Sequence, residues 1–211
     1  TLLPDVLRYA GRRDPKLRLL VQQGSNQELF DLLSRGALDA ILCYATPSFK
    51  GIAVRPLFHE DLYLIGVPGA AAVSRGDVDF DRAAGLPLVL DPRSHIGRCQ
   101  IDRVARRRKV PLNLVAEIEP LEAKRSMMVE RGCYTILPYG SIVDEAAAGM
   151  LAAARIVNPG LMLTLSLIVP RWVPADVERV LLKVIRPVVR DKIAARTLRW
   201  QPAGATIRAA R

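Results

Sequence analysis

The sequence predicts an α/β fold with two lobes, each a mainly parallel sheet flanked by helices, and three observations indicate it. Hydrophobic residues make up 50% of the 211 residues, which is enough for a globular core. Short apolar runs alternate with segments whose apolar residues recur at helical spacing, the pattern of strand–helix–strand units. A break at Pro68-Gly69 separates two such series, and the chain returns to the first near Asn158-Pro159. We therefore expect lobe I at 1–66 plus 163–211 and lobe II at 67–162, joined by two crossovers.

Apolar runs mark the expected strands, at residues 17–21, 38–44, 62–67, 86–90, 114–118, 134–137 and 163–169. Helical spacing predicts a first helix from Leu3 to about Gly11. Ser25 or Asn26 is suited to cap a second helix, which ends at Gly36. Further helices are predicted after Gly97, through Met127–Val129, after Pro138 and from Pro174 onward.

Two segments show neither a strand nor a helix pattern. Asp77, Asp79 and Asp81 alternate in a stretch that is typical of a linker and lacks the spacing of an EF-hand calcium loop. The tail from about Gln201 onward holds Pro202 and Gly204 among small residues, so we expect it to be loose.

The positive charge of the chain is concentrated near its end. The formal net charge is +10, and residues 159–211 contain 10 Lys and Arg against 3 Asp and Glu. A basic surface raises the affinity for polyanions in general but specifies none of them. We expect a solvated basic face on a terminal helix, and the same interpretation applies to the run Arg103–Lys109.

Several classes of function are disfavoured by what the sequence lacks. No run of about 18 uncharged apolar residues is present, and the start shows no signal-peptide pattern, so we expect a cytoplasmic protein without a membrane partner. Cys43, Cys99 and Cys133 have no C-x-x-C spacing, which predicts neither a disulfide framework nor a zinc site. The common catalytic and nucleotide-binding motifs are absent, so we predict neither an enzyme nor a bound cofactor.

Short motifs follow one another in a particular order along residues 2 to about 190. They are Leu3-Pro4, Leu17–Leu19, Gly24–Asn26, Gly36–Ile41, Glu60–Ile65, Leu86–Leu90, Arg93–Arg98, Glu117–Leu121, Gly132–Pro138 and Ile156–Pro159. Each motif alone is weak, because glycine and proline punctuate any α/β protein. Their order and spacing together resemble the effector-binding domain of the LysR-type transcriptional regulators.

The resemblance implies a fold, a function and partners. The fold is the two-lobed one of periplasmic binding proteins, and the function is to sense a small-molecule effector, expected to be anionic, between the lobes. The family forms side-by-side dimers, so a homodimer or homotetramer is expected. Promoter DNA is expected to be reached only through an amino-terminal domain that precedes these residues, and a first strand of the sensing domain is expected just before Thr1.

Candidate effector contacts in lobe I follow the first two predicted strands. Ser25 and Asn26 begin a helix, where a hydroxyl, an amide and free backbone N–H groups can cradle an anion, although plain N-capping explains them equally well. Tyr44 and Ala45 leave the next strand toward the same cleft. For Tyr44, packing in the core is the favoured alternative.

Candidate contacts in lobe II follow the strands at 86–90 and 114–118. His95 and Arg98 come at the start of a basic helix, and Arg98 can hold a carboxylate with its planar fork. The alternative for Arg98 is a surface ion pair with Asp102, four residues on. No metal role is expected for His95, which has no partner at ligand spacing. Leu121 offers an apolar contact or a backbone donor, with core packing as the favoured alternative.

Two other classes of function remain open from the sequence. A solute-binding protein of a transport system would share the two-lobed architecture but normally carries an export signal. An α/β enzyme is the less favoured possibility, since neither of the two histidines lies in a catalytic motif.

Overall fold

The computed structural model describes residues 2–44 and 50–204. The helices are α1 (Leu3–Arg13), α2 (Asn26–Ser34), α3 (Phe80–Gly85), α4 (Ile96–Arg108), α5 (Leu121–Arg131), α6 (Val143–Ala147) and α7 (Ala175–Ala195). The strands are β1 (Ile41–Cys43), β2 (Ile52–Gly66), β3 (Asp77–Asp79), β4 (Leu88–Leu90), β5 (Leu114–Glu117), β6 (Thr135–Pro138), β7 (Ala152–Val157), β8 (Met162–Pro170) and β9 (Gln201–Pro202).

The chain passes between two structural units twice. The first unit comprises the described residues up to His59 together with 164–204, and the second comprises residues 60–163. The chain crosses to the second unit after His59 and returns after Leu163. The sequence analysis predicted these crossovers after residue 66 and after residue 162. The long strand β2 contains the first passage and β8 the second.

The first unit is built from α1, α2 and α7 with short strand pairings. β1 pairs antiparallel with β8, and α2 covers them so that Leu33, Ile41, Cys43 and Ile168 form a buried cluster. The helix α7 packs its apolar face inward, and α1 lies against it. Pro4 occupies the first turn of α1, where its missing N–H removes no helical hydrogen bond.

The second unit contains two parallel pairs, β4 with β5 and β3 with β7. A parallel bridge between Leu88 and Tyr134 connects β4 to the chain just before β6. β2 pairs antiparallel with β6 and with β7, an arrangement that strand–helix alternation alone did not predict. The residues Tyr63, Ile65, Met128, Leu137, Ile142 and Leu151 form a core cluster on one face of this sheet.

Three predictions about local structure are wrong, and one strand was not predicted. Residues 17–21 form no strand, because no neighbouring strand among the described residues supplies backbone partners. The stretch after Gly76 is no linker, since it forms β3 and α3, whose Phe80 is buried. The strand β7 was not predicted at all. At the start of the tail that was expected to be loose, Gln201–Pro202 pairs with Phe58 and His59 of β2, and the tail beyond residue 204 lies outside the described residues.

Among the described helices, none combines the length and the apolar character needed to cross a lipid bilayer.

Candidate functional site

The carboxyl ends of β4 and β5 lie at one edge of the second unit, because the two strands are parallel. β4 leads through Asp91 to the start of α4, and β5 leads through Ile118 to the start of α5. Neither helix has a side-chain cap at its N-terminus. The first backbone N–H groups of a helix lack partners within it, and such groups at this edge of an α/β sheet are where ligands commonly bind.

His95 and Leu121 are brought to these two helix starts. His95 is the N-cap residue of α4, and its Nε2 lies 3.4 Å from an oxygen of Glu119, which precedes α5. Leu121 is the first residue of α5 and packs partly buried against the core cluster around Met128. The core-packing alternative for Leu121 is therefore present, and its contact with an effector stays a prediction.

Arg98 points into the protein rather than toward solvent. Its side chain is 2% exposed and donates hydrogen bonds to Asp102 at 2.8 Å and to Glu117 at 2.8 Å. It also donates to the backbone oxygen of Asp91 at 3.0 Å. Desolvation lowers the pKa of the guanidinium, but the hydrogen bonds to Asp102 and Glu117 outweigh it, so the pKa lies above its usual value.

The ion pair of Arg98 with Asp102, which the sequence suggested as the alternative to effector binding, is therefore present. It is buried, however, and not on the surface. The hydrogen bonds of Arg98 connect the end of β4, the end of β5 and the first turn of α4. A guanidinium that is already engaged in three directions is better suited to hold this edge together than to receive a further carboxylate. Direct binding of an effector by Arg98 stays a prediction.

Lys124 is a second buried cation, which sequence reasoning missed. Its side chain is 1% exposed, and its Nζ donates a short hydrogen bond to a carboxylate oxygen of Asp91. The pair joins the first turn of α5 to the residue that follows β4. In the sequence, Asp91 directly follows a buried strand, and this position could have indicated a functional or buried carboxylate. Nothing in the spacing of Lys124 distinguishes it from a solvated lysine.

Three cations and three carboxylates at this edge are paired, whereas Glu119, beside His95, is a further carboxylate that is largely exposed. The cations Arg93, Arg98 and Lys124 are matched by the carboxylates Asp91, Asp102 and Glu117 through contacts of at most 3.7 Å. Since the carboxylates are paired, they oppose the approach of an anion much less than free ones would. Chemically, the arrangement offers uncapped backbone N–H groups above a neutralised ionic cluster.

In the first unit, the N-terminus of α2 is closed by a capping box. The Ser25 hydroxyl accepts a hydrogen bond from the backbone N–H of Glu28 at 3.3 Å, and the Ser25 N–H donates to the Glu28 carboxylate at 2.8 Å. The N-capping alternative for Ser25 is thus present, and Asn26 is the first residue of α2. Their contacts with an effector stay predictions.

The other two candidates in this unit follow β1. The ring of Tyr44 contacts that of Phe58 edge to face, with centroids 6.5 Å apart. This contact agrees with core packing, the alternative that the sequence analysis favoured for Tyr44. Binding of an effector by Tyr44 stays a prediction. Ala45 lies outside the described residues.

Comparison with known proteins agrees with this architecture. The LysR substrate binding domain family matches residues 1–183. The HTH-type transcriptional regulator BbuR of Bordetella bronchiseptica is 29% identical over 170 residues, which are 81% of this chain and 52% of that protein. The chain thus spans about half the length of the curated relatives it matches.

Solved structures show the same fold. The reduced OxyR regulatory domain of Pseudomonas aeruginosa superimposes with a TM-score of 0.74 at 22% identity, over 88% of this chain and 91% of that one. The CcmR regulatory domain of Synechocystis, determined in complex with 2-PG, gives a TM-score of 0.77 at 12% identity, over 90% of this chain and 91% of that one.

The predicted two-lobed, periplasmic-binding-protein-like α/β class is confirmed by these neighbours. The curated relatives are transcriptional regulators and not enzymes. By its sequence match and its fold, the chain belongs to the family of LysR substrate-binding domains.

Proposed function

We propose that this chain is the effector-sensing and oligomerisation part of a cytoplasmic LysR-type transcriptional regulator and that it binds a small anionic metabolite. Sequence-specific contacts with promoter DNA are made by an amino-terminal part of such a regulator, and the chain itself catalyses no reaction. The observation that carries the proposal is the pair of uncapped helix starts at the carboxyl ends of β4 and β5.

The anionic character of the effector follows from the groups at those helix starts. Free N–H groups and the positive end of the helix dipole favour an anion there. The buried cations pair with Asp91, Asp102 and Glu117, so these three carboxylates oppose an anion little, and the exposed Glu119 lies beside His95. His95 adds a ring that can donate a hydrogen bond or carry a positive charge.

A thermal-shift measurement with inorganic phosphate, benzoate and 2-PG tests the proposal. A ligand that binds only the folded protein raises its stability by about 2.7 kcal/mol at 100 times the Kd. We expect at least one of these anions, at about 10 mM, to raise the Tm by several degrees.

Gly97, in the first turn of α4, allows a substitution that tests this site directly. A Cβ at Gly97 meets no heavy atom within 4 Å, so Gly97→Asp fits and puts a carboxylate where we place the anion. A carboxylate at a helix N-terminus stabilises the helix, but it repels an anionic ligand. Gly97→Asp should therefore keep or raise the Tm without ligand and lose the shift.

Gly11→Asp in α1, where a Cβ is equally free of contacts, is the matched control and should retain the shift. The proposed site is wrong if Gly97→Asp responds like Gly11→Asp, or if no probe shifts the wild-type protein.

We further propose that the chain forms a homodimer or homotetramer. The extended segment 17–21 supports this, because it has no strand partner among the described residues and its Leu20 is 95% exposed. Apolar segments with unpaired backbone groups are prone to edge-to-edge association. Light scattering should show an oligomer that Leu20→Lys dissociates, while Val129→Lys on the exposed face of α5 leaves it intact. A monomeric wild-type protein would refute the proposal.

A further inference from the structure

Four basic side chains form a stripe along the long helix α7, and we call them the α7 stripe. They are Arg179, Lys183, Arg186 and Arg190, and all four are exposed. Their spacing of four, three and four residues places them within an arc of about 60° around the helix axis, at 3.6 residues per turn. The buried residues of the helix, Val184, Ile185, Val188 and Val189, lie on the opposite side.

The charges of the α7 stripe are almost unmatched. Among the described residues, Arg179, Lys183 and Arg186 make no ion pair, and Arg190 only approaches Asp191 at 3.4 Å. Two acidic residues, Asp176 and Glu178, precede the stripe in the first turn of the helix, and Glu178 is bonded to Arg55 instead of to the stripe.

Like charges three and four residues apart destabilise a helix. The helix dipole compensates cations only in the last turn, and all four cations of the stripe lie before it. The arrangement therefore lowers the stability of the free helix, and an anionic partner would remove that repulsion.

We propose that the α7 stripe binds the phosphate backbone of duplex DNA without sequence preference. A row of cations on a rigid helix matches a polyanion with regularly spaced charges, and each cation that neutralises a phosphate releases counterions. A lipid surface fits less well, because the apolar face of α7 is buried in its own unit and cannot insert.

The choice of duplex DNA as the polyanion rests on the proposed function in a DNA-binding regulator. The contact would add to the sequence-specific contacts of an amino-terminal domain, and it departs from the expectation that DNA is reached only through that domain.

The helix α4 supplies a matched control. Arg103, Arg106 and Arg107 are also exposed cations on a basic helix, and Arg103 is hydrogen-bonded to Gln100 at 3.2 Å. The triple variants Arg179→Gln/Lys183→Gln/Arg186→Gln and Arg103→Gln/Arg106→Gln/Arg107→Gln change the net charge equally. They differ only in whether the α7 stripe is removed.

The experiment measures binding of the 211-residue chain to a fluorescent 30-base-pair duplex of random sequence, by anisotropy, as a function of salt. We expect a slope of log K against log salt of about −3.6 for four phosphate contacts, since each contributes about −0.9. The α7 triple should bind about tenfold more weakly at 50 mM salt, with a slope of about −0.9 for the one cation that remains. The α4 triple should keep the wild-type slope.

The proposal is overturned if both triples weaken binding equally, because net charge alone then explains the affinity. It is also overturned if polyglutamate or vesicles of anionic phospholipid bind the α7 stripe more tightly than duplex DNA at the same salt. An unchanged anion-induced thermal shift in the α7 triple separates this result from the proposed effector site. A Tm of the α7 triple at or above that of the wild type shows that the variant is folded.

Discussion

Arg98 in the first turn of α4 and Glu117 at the end of β5 form an ion pair of 2.8 Å, with the arginine side chain only 2% exposed. The same guanidinium reaches Asp102 and the backbone of Asp91, so one side chain fixes the edge of the second unit where β4 and β5 end. The effector site that we propose lies at this edge, and its geometry depends on these buried charges.

Replacing Arg98 should therefore destabilise the protein strongly. Arg98→Met leaves the carboxylates of Asp102 and Glu117 without their buried partner, and we expect a loss of about 3 kcal/mol in the free energy of unfolding, measured with urea. Arg98→Lys should recover little of it, since an ammonium cannot reproduce three directed hydrogen bonds. Arg93→Met, at an exposed neighbour, serves as the control. An unfolding free energy of Arg98→Met within about 0.5 kcal/mol of wild type would contradict this role.

The pair of Lys124 and Asp91 should respond asymmetrically to substitution. Asp91→Asn leaves a charged ammonium that is 1% exposed, whereas Lys124→Met leaves a carboxylate on a side chain that is 15% exposed. We expect about 3 kcal/mol of destabilisation for Asp91→Asn and less for Lys124→Met. In the double variant Asp91→Asn/Lys124→Met, the loss of stability should be smaller than the sum of the two single losses. The difference, which is the coupling energy of the pair, should be about 0.5–3 kcal/mol. Additive losses would show that the two residues do not interact.

The start of α2 should weaken in acid. The backbone N–H of Ser25 and then its hydroxyl donate hydrogen bonds to the Glu28 carboxylate, which lowers the pKa of Glu28 from its ordinary value of 4.5. A carboxylate whose pKa is depressed in the folded state contributes stability above that ordinary value. The contribution is lost as the pH falls through the folded-state pKa.

An NMR titration of Glu28 checks the direction of this shift. Ser25→Ala should move the pKa of Glu28 part of the way back, because the backbone hydrogen bond remains. Ser126→Ala in α5 should leave the titration of Glu28 unchanged. Titration of Glu28 at its ordinary value in the wild-type protein would be inconsistent with a formed capping box.

Trp200 should anchor the segment that follows α7. Its ring stacks on Phe58 with centroids 3.8 Å apart and 13° between the planes, next to the pairing of β9 with β2. Trp200→Ala removes this buried stack, and we expect a loss of about 3 kcal/mol in the free energy of unfolding. It should also speed cleavage by trypsin after Arg199. Trp172→Ala, at a more exposed tryptophan, is the control and should change neither quantity. Unchanged cleavage after Arg199 in Trp200→Ala would mean that the stack does not hold this segment.

Elements with a strong local pattern were predictable from the sequence. The helices α1, α4, α5 and α7 follow from apolar residues at helical spacing, and the α2 cap follows from Ser25 with Glu28 three residues later. The positions of His95 and Leu121 at helix starts were also expected, since both follow apolar runs that become parallel strands.

Strand pairing was less predictable, because a strand needs backbone partners that lie far away in the sequence. Leu17–Leu19 has the composition of a strand yet pairs with no strand among the described residues, while Gln201–Pro202 has the composition of a turn and pairs with β2. Local composition cannot decide either case.

The sequence by itself determined the α/β class, the family and the residues that begin the helices, because these depend on local periodicity and on the order of motifs. Only the tertiary structure decided the role of the charges. Arg98 and Lys124 are buried and paired, whereas the α7 stripe is exposed and almost unmatched, although all of them are basic residues on helices. The physical reason is that desolvation and pairing depend on which elements pack around a side chain, and a linear sequence does not contain that information.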